Sequence, residues 1–259
     1  MTMLALDAQA LSERAEAALA RLRERRPRVH CLTNTVVQGF TANVLLALGA
    51  VPSMTTSPEE VGDFVQRADA LLVNLGTMDA ERRAATLIAV RTAQATGRPW
   101  TLDPVFVDAS PARRDFALEL VRHRPAVMRA NAAEFRAMAG RDADEVAALA
   151  YALENRLTVA ITGQADLLAD GQRTLAIGNG HPLMARITGM GCAGSAVVSA
   201  FLAVEPDAFM AAAAALGVFA VAGERAALLA DGPGSFAPAF LDTLHGFDAA
   251  ELRAHGRVA

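Results

Sequence analysis

The chain has 259 residues, of which 53% are hydrophobic and 20% charged, a composition typical of a folded globular protein rather than a disordered one. Its net charge of −4 and the lack of a basic tract argue against a nucleic-acid-binding protein. Two cysteines, Cys31 and Cys192, are too few for the disulfide framework of a secreted domain.

The first predicted element is an amphipathic helix over residues 8–26, which ends at Pro27. Acidic residues at Asp7, Glu13 and Glu16 stand where a signal peptide would have its apolar core. The longest stretch with few charges, residues 210–223, is too short and too alanine-rich to span a membrane comfortably. We therefore expect a cytoplasmic protein with no membrane partner.

Short apolar runs then alternate with helical segments. The runs predict strands, which cover residues 29–32, 51–55, 71–75, 100–102, 126–128 and 158–161. Helices are predicted over residues 41–48, from Ser57, over 79–96, from Ser110, from Asn131, over 144–155, from about Met190, over 207–229 and at the C-terminus. Residues 164–177 read as a hairpin that turns at Asp170-Gly171.

This alternation predicts an α/β fold in which helices cover both faces of a mostly parallel sheet. The late hairpin suggests antiparallel strands at one edge. Neither a linker nor a repeat divides the sequence, so residues 1–259 are interpreted as a single domain. Ligands of such sheets bind beyond the carboxyl ends of the strands, where all the motifs below are predicted to lie.

Residues 188–192, with the sequence TGMGC, precede an apolar helix rich in small residues. Two glycines allow close backbone approach, and the N–H groups at a helix start favour an anion, although an ordinary glycine-rich turn is as compatible with this spacing. Cys192 would lie in the first turn, where the helix dipole is expected to lower its pKa. The alternative is a small buried hydrophobic residue, which is the commoner role of a free cysteine.

Acidic residues follow two of the predicted strands. Asp103 could hold a water of a hydrated metal ion or cap a turn. Glu134, three residues after Asn131, matches a capping box and could also reach Mg²⁺ through water, although the capping interpretation is favoured from the sequence alone. Arg129 would face the same end of the sheet and could pair with phosphate.

Other side chains at these strand ends have weaker signals. The Thr162 hydroxyl could meet a phosphate or belong to a plain turn, and His30 is expected to be a hydrogen-bonded structural residue rather than a ligand. All 24 basic residues are arginine, so a P-loop or Schiff-base lysine is excluded. Phosphate binding would need arginine, backbone N–H groups and a metal.

Together these motifs resemble one family. The matching segments are HCLTN at 30–34, FTAN at 40–43, LVNLGT at 72–77, WTLDPV at 100–105, TGMGC at 188–192 and GPGSF at 232–236. In this order they are similar to the hydroxyethylthiazole kinases of thiamine salvage. The resemblance implies a ribokinase-like three-layer sandwich. It also implies transfer of the γ-phosphoryl group of ATP to 5-(2-hydroxyethyl)-4-methylthiazole, with Mg²⁺, by a homotrimer.

The resemblance also implies site residues. By chemical role they are Cys192 and Gly191 for catalysis, Arg129 and Thr162 for ATP, Met54, Gly189 and Asn34 for the thiazole alcohol, and Asp103 and Glu134 near the metal. Cys192 would orient the substrate hydroxyl and accept its proton late. One departure from the family is Ala130, which stands where glycine is usual and whose methyl group could crowd the nucleotide side.

Three alternatives remain open from the sequence. The first is another vitamin-precursor kinase of the same fold, such as one for hydroxymethylpyrimidine. The second is a cysteine hydrolase that pairs Cys192 with His30 or His181, and the third is a binding protein without activity.

Overall fold

The computed structural model describes residues 8–259, so the prediction that used Asp7 lies outside the described residues. Within residues 8–259 the chain forms eight strands in one sheet, together with eleven α-helices. The strands are β1 Arg28–Leu32, β2 Val51–Ser53, β3 Ala70–Asn74, β4 Trp100–Asp103, β5 Val127–Asn131, β6 Thr158–Thr162, β7 Asp166–Ala169 and β8 Thr174–Ile177. The helices are α1 Ala8–Arg25, α2 Gln38–Leu48, α3 Val61–Arg67, α4 Ala80–Ala95, α5 Pro111–Val121, α6 Ala132–Ala139, α7 Glu145–Asn155, α8 Met190–Leu202, α9 Ala208–Ala227, α10 Pro233–His245 and α11 Ala249–His255.

The strand order is β2-β1-β3-β4-β5-β6-β7-β8. All pairs from β2 to β6 are parallel, whereas β7 and β8 add an antiparallel edge, as the hairpin pattern predicts. Parallel pairing sets the polar strand ends side by side. Asn74 pairs with Asp103, and Asn131 pairs with Thr162.

Apolar side chains cover both faces of the sheet, which explains why its central strands are almost uniformly apolar. Leu72 of β3 packs into the cluster formed with α1, α2, α8, α9 and α10. Its neighbours Leu71 and Val73 pack into a second cluster with α3 to α7. The predicted three-layer α/β sandwich is confirmed.

Helix α9 is long and apolar enough to cross a membrane by composition, but 83% of its most apolar window is buried inside the fold. Its alanines and glycines let α1, α8 and α10 pack closely around it. The alanine-rich composition therefore reflects a position in the core.

The predicted helix start at Ser57 is wrong, because α3 begins at Val61 and residues 58–60 form turns. The Ser57 hydroxyl accepts from the N–H of Glu59, which is a local turn rather than a helix cap. Strand β2 also ends at Ser53 rather than residue 55, since the Thr55 carbonyl faces a side chain of β1 instead of a neighbouring strand.

Candidate active site

The first turn of α8 lies at the end of the sheet where the parallel strands terminate. The carboxyl ends that lie there are those of β1, β3, β4, β5 and β6. Parallel strands bring these ends together, and the start of α8 supplies backbone N–H groups there. The polar side chains of this region form one connected network, built around Asp103 at the end of β4.

Asp103 is buried, with 2% of its surface exposed. Its Oδ2 accepts hydrogen bonds from Asn74 Nδ2 at 2.7 Å and from Ser195 Oγ at 2.8 Å. Burial raises the pKa of the Asp103 carboxyl, and the positive charge of Arg129 and these two hydrogen bonds oppose that rise. The carboxylate is therefore held in place from the neighbouring strand and from α8 at once.

Cys192 lies in the first turn of α8 and joins the network through Asn34. Asn34 Nδ2 approaches Cys192 Sγ at 3.4 Å and Asn74 Oδ1 at 3.5 Å. Burial, followed by the charge of Asp103, raises the pKa of Cys192 to about 11. The expectation of a thiol pKa lowered by the helix dipole is thus wrong, because desolvation outweighs the dipole at this depth.

Gly189 is the N-cap of α8 and has φ +88°, a left-handed conformation that favours glycine. A Cβ there would lie 2.6 Å from Val37 Cγ1, so this position also lacks room for a side chain. Helix geometry leaves the N–H groups of Gly191 and Cys192 without acceptors inside α8. The side chain of Met190 is buried in the core.

Arg129 projects from β5 toward this helix start. A Cβ on Gly191 would lie only 3.2 Å from Arg129 Nη1. Among residues 8–259, the buried Nε of Arg129 has no hydrogen-bond partner. Arg129, Thr162 and Gly191 share the lining of a cavity of about 690 Å³. A partly buried guanidinium with an unpaired Nε, beside free N–H groups, fits an anion such as a phosphate.

Glu134 forms the capping box of α6 with Asn131, as the sequence favours. Its Oε2 accepts from the Asn131 N–H at 2.9 Å, and its Oε1 accepts from the Phe106 N–H at 3.0 Å. Burial and the nearby Asp103 charge raise the pKa of Glu134. The two acids are therefore close enough to interact, and Glu134 is held by the backbone.

Within the described residues, no group of three or more His, Cys, Asp or Glu side chains could hold a metal ion. Mg²⁺ binds enzymes through one or two carboxylates together with water and substrate phosphates, so a closed protein cage is not required. Asp103 and Glu134 are two neighbouring carboxylates at this end of the sheet, and the charge of Arg129 acts on both.

His30 is fully buried and holds the segment that carries Met54. Its Nδ1 lies 2.8 Å from Ser53 Oγ and its Nε2 lies 3.1 Å from the Thr55 carbonyl. Burial lowers the pKa of His30 to about 4. The expected structural role is confirmed. Met54 itself is half-buried against the core and, among the described residues, is not hydrogen-bonded to the network around Asp103.

The hydrolase alternative needs a histidine beside the thiol. In the part of the chain that the structure describes, no hydrogen bond links Cys192 to a histidine, since His30 bonds to Ser53 and Thr55 and His181 accepts from the Leu183 N–H. The arrangement lacks the base that this chemistry requires.

Ala130 is buried in β5, where it pairs with Ile161, and its φ is not positive. Its methyl group therefore packs in the core below the nucleotide side.

Sequence reasoning missed Asn74 and Ser195 as members of the network. Asn74 could have been identified by its position at the end of a predicted strand. For Ser195 the only sequence feature that could have identified it is its position one turn after Gly191.

Comparison with known proteins places these features in one family. The family model described as the hydroxyethylthiazole kinase family matches residues 19–250. A probable hydroxyethylthiazole kinase of Agrobacterium fabrum is 49% identical over 95% of this chain and 94% of its own length. The structure of a hydroxyethylthiazole kinase from Pyrococcus horikoshii matches with a TM-score of 0.91 and 38% identity, covering 95% of this chain and 98% of that one.

A ribokinase-like superfamily protein from Enterococcus faecalis matches with a TM-score of 0.67 at 14% identity, over 94% of this chain and 96% of that one, which shows the fold alone. The fold is thus ribokinase-like. The family model and the relatives that match almost end to end show more than the fold: the chain belongs to the hydroxyethylthiazole kinase family.

Proposed function

We propose that this enzyme transfers the γ-phosphoryl group of ATP to the primary hydroxyl of 5-(2-hydroxyethyl)-4-methylthiazole, which yields the thiazole phosphate used for thiamine. The observation that carries the proposal is the half-buried side chain of Arg129, whose buried Nε has no hydrogen-bond partner among residues 8–259 and whose Nη1 lies against Gly191. Phosphoryl transfer depends mainly on positioning and charge neutralisation, and this arrangement supplies both.

On the nucleotide side, Arg129 and Thr162 bind the phosphates of ATP. The N–H groups of Gly191 and Cys192 face the phosphoryl group that is transferred. Bound Mg²⁺ would supply further neutralisation of the phosphate charge, with Asp103 and Glu134 holding its waters.

On the acceptor side, Met54, Gly189 and Asn34 line the site for the thiazole alcohol. At neutral pH the Cys192 thiol is protonated, since its pKa is about 11. A neutral thiol cannot take up a further proton, so Cys192 orients the hydroxyl and does not act as the proton acceptor expected from the sequence. The hydroxyl proton passes to a phosphoryl oxygen or to water after the bond to phosphorus is largely formed, as a loose transition state allows. The homotrimer and the cytoplasmic location remain predictions.

The test is ADP release measured with a coupled assay on a panel of alcohols. We expect turnover with the thiazole alcohol and much slower turnover with hydroxymethylpyrimidine. A preference for the pyrimidine alcohol would favour the rival kinase, and no ADP release with any alcohol would contradict the proposal. Size-exclusion chromatography with light scattering tests the trimer independently.

A further inference from the structure

Asn74 lies at the centre of the polar network but contacts neither the nucleotide cavity nor the surface. It is 3% exposed and ends β3. Its amide has two distinct ends, and each has its own partner. Nδ2 donates to Asp103 Oδ2 at 2.7 Å, while Oδ1 accepts from the Gly76 N–H at 3.0 Å.

The Gly76 N–H fixes the polarity of this amide. A backbone N–H can only donate, so the Asn74 oxygen must face Gly76 whatever the protonation state of Asp103. The same oxygen accepts from Asn34 Nδ2 at 3.5 Å. Because Asn74 Oδ1 can only accept a hydrogen bond, the NH₂ group of Asn34, and not its oxygen, must face Asn74.

The polarity of the Asn34 amide follows. Its Nδ2 is shared between Asn74 Oδ1 and Cys192 Sγ. Among the described residues, no hydrogen-bond donor is recorded for Asn34 Oδ1. Gly76 also packs against this side chain, since a Cβ on Gly76 would lie 2.6 Å from Asn34 Cβ. The Asn34 amide is therefore fixed in place with one oxygen left to accept a hydrogen bond.

We propose that Asn74 is a positioning residue that fixes the orientation of the Asn34 amide, so that Asn34 Oδ1 accepts a hydrogen bond from the hydroxyl of the alcohol substrate. This inference rests on the proposed function. Asn74 acts through Asn34 and touches no substrate. The hydroxyl thereby donates to the Asn34 oxygen and accepts from the Cys192 thiol, which leaves one lone pair of its oxygen for the phosphoryl group.

The test is calorimetric binding of the thiazole alcohol and, separately, of ATP without magnesium. Asn74→Leu, similar in volume but without hydrogen bonds, should weaken alcohol binding by about tenfold while ATP binding changes by less than about threefold. Asn34→Ala should weaken alcohol binding by a similar factor. The double variant should lose no more than Asn34→Ala alone, since both changes remove one hydrogen bond.

Ser199→Ala is the matched control, because the Ser199 hydroxyl makes buried contacts with Thr101, with Leu71 and with the backbone carbonyl of Ser195, and within residues 8–259 it bonds to no side chain of the network around Asp103. It should bind both ligands like the wild type. Asn74→Ala replaces the leucine variant if the latter does not fold. Unaltered alcohol binding in the Asn74 variants, or additive losses in the double variant, would overturn the inference. A wild type that does not bind the alcohol would overturn the proposed function as well.

Discussion

Ser195 Oγ donates a 2.8 Å hydrogen bond to Asp103 Oδ2, and this bond ties helix α8 to the end of strand β4. Ser195 lies one turn after Gly191, so the bond fixes the start of α8 relative to the sheet. In the proposed reaction, the N–H groups of that start face the transferred phosphoryl group and Asp103 holds water of the Mg²⁺ that neutralises the phosphates. Their separation is therefore set by a serine that touches neither substrate.

Ser195→Ala should lower the free energy of unfolding by about 1–3 kcal/mol, because it leaves the buried Asp103 oxygen with one donor fewer. It should also reduce kcat, since α8 loses its attachment to β4. Thermal unfolding and steady-state kinetics measure the two effects. Ser199→Ala, which removes a buried hydroxyl from the next turn of the same helix, should reduce stability but leave kcat unchanged. Equal kcat for both variants would contradict this role for Ser195.

Cys192→Ala should lower kcat and leave the KM for ATP within a few-fold of the wild type, because the thiol contacts the acceptor hydroxyl. Cys192→Asp should retain activity, since a carboxylate can also accept from Asn34 Nδ2 and take up a proton. Steady-state kinetics with both substrates separates these outcomes. An unchanged kcat in the alanine variant would remove Cys192 from the chemistry.

The sheet and its layers could be predicted because central strands buried on both faces leave a nearly continuous apolar pattern, as Leu71, Leu72 and Val73 show. The network was harder to predict. Asn74 meets Asp103 only because β3 pairs with β4 in this register, and strand order is a property of the whole fold that local sequence does not specify.

Cys192 illustrates a second limit. Its position in a first helical turn is readable from TGMGC, and that position alone suggests a thiolate. The pKa depends instead on how deeply the fold buries the sulfur and on the charge of Asp103, which comes from a strand about ninety residues earlier in the chain. Burial is a tertiary property, so local sequence led to the wrong direction.

Gly189→Ala should destabilise the turn before α8 by about 1–3 kcal/mol, because φ +88° strains an alanine and its Cβ would approach Val37 Cγ1. We expect both a lower melting temperature and a large loss of kcat/KM for the thiazole alcohol. Gly39→Ala in α2 is the control, since a Cβ there meets nothing within 4 Å. If Gly189→Ala were as stable and active as Gly39→Ala, the turn would not need glycine.

Arg129→Ala should raise the KM for ATP by about 10- to 100-fold, the usual cost of losing a charge-assisted hydrogen bond to phosphate. The KM for the thiazole alcohol should change much less. Arg136→Ala removes an exposed guanidinium of α6 that pairs with Asp142, and it should leave both constants unchanged. An unaltered KM for ATP in Arg129→Ala would refute the assignment of this arginine to the nucleotide.

His30 should make the fold sensitive to acid. The Thr55 carbonyl can only accept, so His30 Nε2 carries a proton and Nδ1 accepts from the Ser53 hydroxyl in the neutral ring. Burial lowers the pKa of His30 to about 4, against about 6.5 in the unfolded chain. The folded state therefore binds fewer protons than the unfolded state between these values, and stability falls as pH drops through this range.

The full effect of His30 corresponds to about 3 kcal/mol, present above pH 6.5 and lost on approach to pH 4. Carboxyl groups also titrate in this range. The test therefore compares the loss of stability on acidification between the wild type and a variant that lacks the His30 ring. Denaturant unfolding of the wild type and of His30→Gln at pH 7.5 and pH 5 should show a larger loss on acidification for the wild type. His123→Gln, which replaces a half-buried histidine of the α5–β5 connection whose ring bonds to Gln94 on the surface, should behave like the wild type. Equal acid sensitivity in His30→Gln and the wild type would mean that the buried ring does not couple folding to pH.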